Sequence, residues 1–244
     1  MTTAPRPGGS PAVKAVIFDF YGTLVRLVPP MPPSHASVFE RRGLGEYVER
    51  WGDQWSVGPA DGEDHSIHSV DEATYRAWEV NRLRRRALEC GVPAAEAGPL
   101  AVELDRATKS LALELFPDVT AVLAHLRGRG LRVGLCSNWY WDLDRAVAST
   151  GLTDLVDAGV TSARVGVRKP HPGIYRAALD ACGVTPEEAL FVGDMWAADV
   201  VGPLAAGIRA VHLWRPDRAV DGVAPPLPDR AHRITSLHSL PELL

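Results

Sequence analysis

Four short polar clusters hold the side chains of this chain that can do chemistry together. They are Asp19 in Asp19-Phe20-Tyr21-Gly22-Thr23, the pair Ser137-Asn138, the triplet Arg168-Lys169-Pro170, and Asp194 with Asp199 in Gly193-Asp194-Met195-Trp196-Ala197-Ala198-Asp199. A carboxylate is either a nucleophile or a hard oxygen ligand, and oxygen ligands that leave room for waters suit Mg²⁺. Ser137 and the N–H groups after it can hold phosphate oxygens at a helix N-terminus. Lys169 is a compact positive charge able to neutralise a carboxylate and a phosphate at once. Positioning and charge neutralisation of this kind are what phosphoryl transfer requires.

These clusters are far apart in sequence, so the fold must bring them together. Val13 to Val25 opens with the apolar run Ala15 to Phe18, which reads as a strand buried on both faces, and breaks at Gly22-Thr23. From Phe116 onward, strands alternate with helices. Strands are expected at Leu131–Cys136, Asp157–Thr161, Ala189–Val192 and Arg209–Leu213, with an edge strand at Arg233–Ser236. Helices are expected from Pro117-Asp118 to Leu126, at Leu143–Ser149, Pro172–Cys182 and Ala198–Ala206, and near Leu240. This alternation implies βαβ units and a Rossmann-like parallel sheet, an α/β core. In such a sheet the strand ends meet on one edge, where ligands bind, and each polar cluster here follows a strand or lies between two. Between the first and second clusters, residues 28–115 read as helical with no clear strand. Helices are expected from Ser34 towards Val48 or Trp51, from Ser69 or Asp71 through Leu88, and from Pro93 to Leu113, with prolines 29, 30, 32 and 33 as a linker. The organisation is therefore a leader over 1–12, an α/β core over 13–27 and 116–244, and an inserted α-helical cap over 28–115.

Composition narrows the function. The chain has 244 residues, 46% hydrophobic and 23% charged, which suits one large globular unit with an insertion. A net charge of −4 gives no basic footprint for nucleic acid. No apolar run approaches the roughly 20 residues of a membrane span. The first residues lack the apolar core of a secretory signal, and Cys90, Cys136 and Cys182 fit reduced, buried thiols, so a cytoplasmic protein is expected. Oligomeric state is not readable.

In order and spacing, the four clusters resemble the four motifs of the haloacid dehalogenase superfamily, and the likeness extends from about Val13 to Trp214. The helical insertion resembles the cap that some members carry between their first and second motifs. The resemblance implies a role for each residue. Asp19 is the nucleophile that forms a covalent aspartyl intermediate, and Thr23 supports the turn. Ser137 binds the transferring group, with Asn138 and Trp139 beside it, and Lys169 steadies nucleophile and intermediate. Asp194 binds Mg²⁺ with Asp19 and the backbone carbonyl of Tyr21, and Asp199 is a further acidic residue of that site. The implied activity is a Mg²⁺-dependent phosphatase of a small phosphorylated metabolite, acting through an aspartyl-phosphate.

One position departs from the phosphatase pattern. Superfamily phosphatases carry Asp two residues after the nucleophile, as general acid and base; here that residue is Tyr21. An unperturbed phenol titrates near pKa ≈ 10 and is a poor substitute. Tyr at this place resembles the 2-haloacid dehalogenases, in which halide departs without a proton and an aspartyl ester forms. Those enzymes use no metal, and their cap arginine context is missing here, although Arg41, Arg42 and Arg50 are close by. Dehalogenation is therefore the alternative activity, and a binding or regulatory protein with lost turnover the non-enzymatic one. Trp139 and Trp196 are candidates for the pocket wall, while Tyr140 and Trp141 read as packing. His65 and His68 read as solvated loop residues, Arg82, Arg84, Arg85 and Arg86 as a solvated helix face, His171 as part of a turn, and Cys136 as an inert buried thiol.

Overall fold

In a computed structural model, the leading apolar run forms β1 (Ala15–Phe18), and all four of its side chains are buried. The structure describes residues 12–28, 34–52, 59–216 and 224–244. The proline linker, all of the leader but residue 12, and part of the polar stretch from Asp53 to Ser69 lie outside them. After a turn at Gly22-Thr23 comes β2 (Val25–Leu27), followed by α1 (His35–Arg41), α2 (Val48–Trp51), α3 (Glu72–Glu89), α4 (Ala94–Lys109) and β3 (Leu113–Leu115). The chain continues through α5 (Val119–Gly128), β4 (Arg132–Ser137), α6 (Leu143–Ser149), β5 (Ala158–Thr161), α7 (Ser162–Val165) and α8 (Pro172–Cys182). It ends with β6 (Ala189–Gly193), a π-helical turn at Trp196–Val201, α9 (Gly202–Ala205), β7 (Arg209–Leu213), β8 (Ala231–Ile234) and a 3₁₀ segment at Leu237–Leu243.

Six strands form one parallel sheet in the order β5-β4-β1-β6-β7-β8. Side chains alternate across it. Val16 and Phe18 pack into one apolar layer with Val122, Leu126 and Leu240, while Ala15 and Ile17 pack into the other with Ile174, Tyr175 and Ala178. Burial on both faces explains why β1 is a continuous apolar run rather than an alternating one. This is the expected Rossmann-like α/β core, with β1 near the middle.

Helices α1 to α4 build a third apolar cluster of their own around Phe39, Trp51, Leu83, Leu100 and Leu104. Four expectations need correction. The stretch 28–115 is not free of strand: Leu113–Leu115 pairs antiparallel with Val25–Leu27, closing the insertion at its base. The helix from Ser34 ends at Arg41, because the chain turns at Gly43 with φ 71°. The helix expected at Ala198–Ala206 starts as a π-helical turn and is α-helical only over Gly202–Ala205. The edge strand lies at Ala231–Ile234, two residues earlier than expected. Among the described residues, no helix is long and apolar enough to cross a membrane.

Candidate active site

The register of the sheet assembles the site. Phe18, the last residue of β1, pairs with Leu135 on one side and Val192 on the other. Asp19 is thus carried to the same edge as Ser137 and Gly193, and its N–H is held by the Val192 carbonyl at 2.9 Å. Asp19 is 6% exposed and Lys169 1%. Asp19 Oδ1 accepts from Ser137 Oγ at 3.0 Å and from Lys169 Nζ at 2.8 Å. Thr23 Oγ1 lies 3.4 Å from Asp19 Oδ2 and 3.2 Å from Asp194 Oδ1, so one hydroxyl proton serves two carboxylates.

The fourth cluster is shaped by the π-helical turn, which folds Asp199 back beneath the loop that precedes it. Asp199 is fully buried; its Oδ1 accepts from Lys169 Nζ at 2.7 Å and its Oδ2 from the Met195 N–H at 2.9 Å. The approach requires glycine at 193, where a Cβ would lie 2.4 Å from Asp199 Cγ. Helices with an i→i+5 turn are rare and occur often at functional sites. On the far side, His212 Nε2 lies 3.2 Å from the Asp194 carbonyl, and Arg233 Nε lies 3.2 Å from His212 Nδ1.

The electrostatics follow from one ammonium placed between carboxylates. Burial works against the Lys169 charge, but Asp19 and Asp199 outweigh it and hold the lysine above its ordinary range. The negative charge left over is costly in the same buried space. Burial pushes the Asp199 carboxyl up to about 7, with Asp19 adding to the shift and Lys169 opposing it. One oxygen from each of Asp19, Asp194 and Asp199 lies within 4.8 Å of the others. Three carboxylates facing one ammonium leave an excess of negative charge that a divalent cation would neutralise. The donors are all hard oxygens, as Mg²⁺ prefers. Asp19 and Asp194 fit best as its ligands, because one oxygen of each meets Thr23 Oγ1 only at 3.4 and 3.2 Å, whereas the two Asp199 oxygens are held by shorter bonds of 2.7 and 2.9 Å.

The model of the haloacid dehalogenase-like hydrolase family matches residues 13–207. The chain belongs to the haloacid dehalogenase-like hydrolases. It is 30% identical over 215 residues to phosphoglycolate phosphatase of Rhodospirillum rubrum, covering 81% of this chain and 78% of that protein. It is 42% identical over 113 residues to phosphoserine phosphatase of Thermus thermophilus, a match that spans 46% of this chain and less than half, 45%, of that protein. Among solved structures it resembles 2-haloacid dehalogenase from Pseudomonas syringae pv. Tomato DC3000, with TM-score 0.59 and 26% identity over 95% of this chain and 97% of that one. An HAD phosphatase from Thermococcus onnurineus shares the fold, with TM-score 0.64 at 22% identity over 95% of this chain and 97% of that one.

Around this hydrolase centre the remaining residues fall into place unevenly. Asn138 faces the Lys169 backbone, accepting from its N–H at 2.7 Å and donating to its carbonyl at 3.1 Å, so it fixes the lysine before it can serve a substrate. Trp139 packs edge-on to Phe20 and stacks at 6.4 Å on Tyr21, forming a half-buried aromatic wall next to Asp19. Trp196 lies edge-on to His212. Ser137 ends β4, and five residues separate it from α6, so it is not at a helix N-terminus. His171 caps α8, as a turn residue should. Burial pushes the Cys136 thiol up to about 12, in keeping with an inert role. Arg41 and Arg42 pair with Glu103, and Arg50 donates to the Cys90 carbonyl, all within the helical insertion.

One surface reading fails and a second holds only in part. His65 is buried, not solvated: its ring stacks on Trp78 and its Nδ1 meets Ser69 Oγ at 3.0 Å. Of the helix face, Arg84 and Arg85 are exposed as expected, but Arg82 and Arg86 are half-buried, Arg82 over the Trp78 ring and bonded to Glu63, and Arg86 donating to the Trp51 carbonyl. Sequence reading also missed His212 and Arg215. Arg215 binds Asp118 through both terminal nitrogens and donates to the Thr23 carbonyl at 3.0 Å. The one available signal for His212 is a polar residue inside the buried run 210–213 of its strand.

Proposed function

We propose that this hydrolase is a Mg²⁺-dependent phosphatase of a small phosphorylated metabolite, working through an aspartyl-phosphate on Asp19. The observation that carries this reading is the buried trio of Asp19, Ser137 and Lys169, facing Asp194 across Thr23. Asp19 attacks phosphorus as its bond to the leaving oxygen breaks, and that oxygen keeps the bonding pair. Water then attacks the same phosphorus as the bond from the Asp19 oxygen to phosphorus breaks, giving free Asp19 and inorganic phosphate, which keeps one of the water's protons while the other passes through solvent to the departed oxygen. Lys169 orients the attacking carboxylate through its 2.8 Å bond to Asp19 Oδ1 and stabilises charge on the transferring group, and the Ser137 hydroxyl lies where it can reach that group's oxygens. Mg²⁺, when bound, would supply further charge neutralisation on the phosphate; Asp19, Asp194 and the Tyr21 carbonyl are the residues proposed to hold it. The relatives named as phosphatases support the substrate class. We further propose that α1 to α4 form a cap over 28–115 that covers the Asp19 edge and sets specificity.

Tyr21 favours a second reading, a 2-haloacid dehalogenase in which halide leaves carbon and Asp19 forms an ester. A screen of purified protein against phosphate esters and 2-haloacids, with and without Mg²⁺, separates the two. Phosphate release that needs Mg²⁺ is expected. Halide release without metal would replace the phosphatase reading. Asp19→Asn should abolish turnover in either case, because an amide cannot form the intermediate.

A further inference from the structure

The Asp194–Met195 peptide unit is gripped at both ends. Its N–H donates to Asp199 Oδ2 at 2.9 Å, and its carbonyl faces His212 Nε2 at 3.2 Å. The carbonyl grip depends on the state of the imidazole. Arg233 Nε, 3.2 Å from Nδ1, can only donate, so Nδ1 must accept and Nε2 must carry the proton. His212 is 1% exposed, and its ring stands edge-on between Trp196 and Trp214, each with its centroid 5.3 Å away. Its reach is set by the sheet, since His212 pairs with Gly193 in the β6–β7 register, one residue before the carbonyl it touches. A histidine placed in an apolar strand only to fill space would not need a second residue to fix its tautomer.

We infer that Arg233 and His212 form a positioning relay that fixes the Asp194–Met195 peptide, and through it aims the Asp194 carboxylate at the bound cation. The relay rests on the reading of Asp194 as a Mg²⁺ ligand. Groups behind the ligands of a metal site orient those ligands, and losing one commonly costs 10–100-fold in metal affinity.

The test is titration calorimetry with MgCl₂ on the full chain, comparing wild type with His212→Leu, His212→Gln and Arg233→Leu, each checked by thermal melting. His212→Leu keeps apolar bulk but loses the donor, and should weaken Mg²⁺ binding on the order of tenfold. Gln places an amide N–H near the position of Nε2 and should recover most of that loss. Arg233→Leu leaves the ring in place but frees its tautomer, so it should also weaken binding; it carries the test if His212→Leu does not fold. Ring ¹⁵N shifts of wild type should show a protonated Nε2 and a bare Nδ1. A folded His212→Leu or Arg233→Leu with wild-type Mg²⁺ affinity overturns the relay, as does a protonated Nδ1. Wild type without Mg²⁺ binding at millimolar concentration would instead remove the phosphatase reading, and the relay with it.

Discussion

Tyr21 sets the sharpest test of the chemistry, because it stands where a phosphatase keeps its proton donor. Its ring lies against Trp139 at 6.4 Å, so it builds the wall beside Asp19 as well as replacing the acid. A leaving phenolate departs without full protonation, whereas an alkoxide does not. General acid catalysis typically contributes about 10²–10⁴-fold, so aryl phosphates should be cleaved measurably and alkyl phosphates poorly. Tyr21→Asp should raise the alkyl rate selectively, at a stability cost of about 0.5–1.5 kcal/mol for the lost ring contact. Steady-state rates on a matched aryl and alkyl pair decide this, and an unchanged ratio in Tyr21→Asp would sink the assignment of a missing acid. That Asp19, Ser137, Lys169, Asp194 and Asp199 would meet was legible at this scale, since they are polar types set beside apolar strands whose ends share one sheet edge. Positioning residues were not. His212 acts through contacts that exist only once β6 and β7 are side by side, and Asn138, named from the sequence beside Ser137 as a substrate contact, meets the Lys169 backbone only once β4 and the Lys169 segment are side by side. His65 was misread for the same reason: the loop around it is polar, and its burial comes from Trp78, thirteen positions away and on another element.

Elements with strong local signals were legible, and those defined by a neighbour were not. Strand β1 and helix α8 carry their own pattern and caps. Strand β3 has three residues and exists because Val25–Leu27 lies beside it; the π-helical turn exists because Asp199 must reach both Lys169 and Met195. The join between α5 and the end of the chain is a third example. Asp118, buried ahead of α5, accepts from Arg215 at 2.9 and 3.0 Å, from Ser236 Oγ at 2.7 Å and from the Leu237 N–H at 2.8 Å. Burial alone would raise its pKa, but these donors prevail and hold the carboxyl below its ordinary value. A folded-state pKa below the unfolded value of about 4 means this stabilisation is complete above pH 4 and is lost as pH falls through the lower, folded value. Asp118→Asn leaves Arg215 buried without its counter-charge and should cost about 3–5 kcal/mol near neutral pH. Urea denaturation should show the gap between wild type and variant narrowing below about pH 4. A gap that stays constant across that range would show that Asp118 acts by shape rather than charge.

At the scale of the molecule, the helical insertion meets the α/β core through a second join besides the β2–β3 ribbon. Residues 62–65 run antiparallel to 166–169, bridging at Asp64 and Val167. The His65 N–H donates to the Gly166 carbonyl at 2.7 Å, the Arg168 N–H to the Glu63 carbonyl at 3.0 Å, and the Gly62 N–H to the Lys169 carbonyl at 3.3 Å. The last of these bonds reaches the residue that holds Asp19. If 28–115 is a cap, this strap makes the seating of the cap and the placement of Lys169 one event, and loosening it should cost turnover without unfolding the core. Gly166 is the place to loosen it. It sits at φ 83°, and a Cβ there would lie 2.4 Å from the Ser66 Cα. Left-handed backbone costs a residue with a side chain roughly 1–2 kcal/mol, and relief of the contact requires Ser66 to move away. Gly166→Ala should therefore raise local opening of the strap by about tenfold, since about 1.4 kcal/mol is a factor of ten. Hydrogen exchange at the His65 and Arg168 amides should quicken by that factor, while amides of β1 and β6 keep their protection. The turnover rate should fall with it, because Lys169 loses one of the bonds that hold its backbone. Faster exchange with unchanged turnover would uncouple the strap from Lys169; unchanged exchange would mean that the insertion is seated on the core by its side chains and not by this ladder.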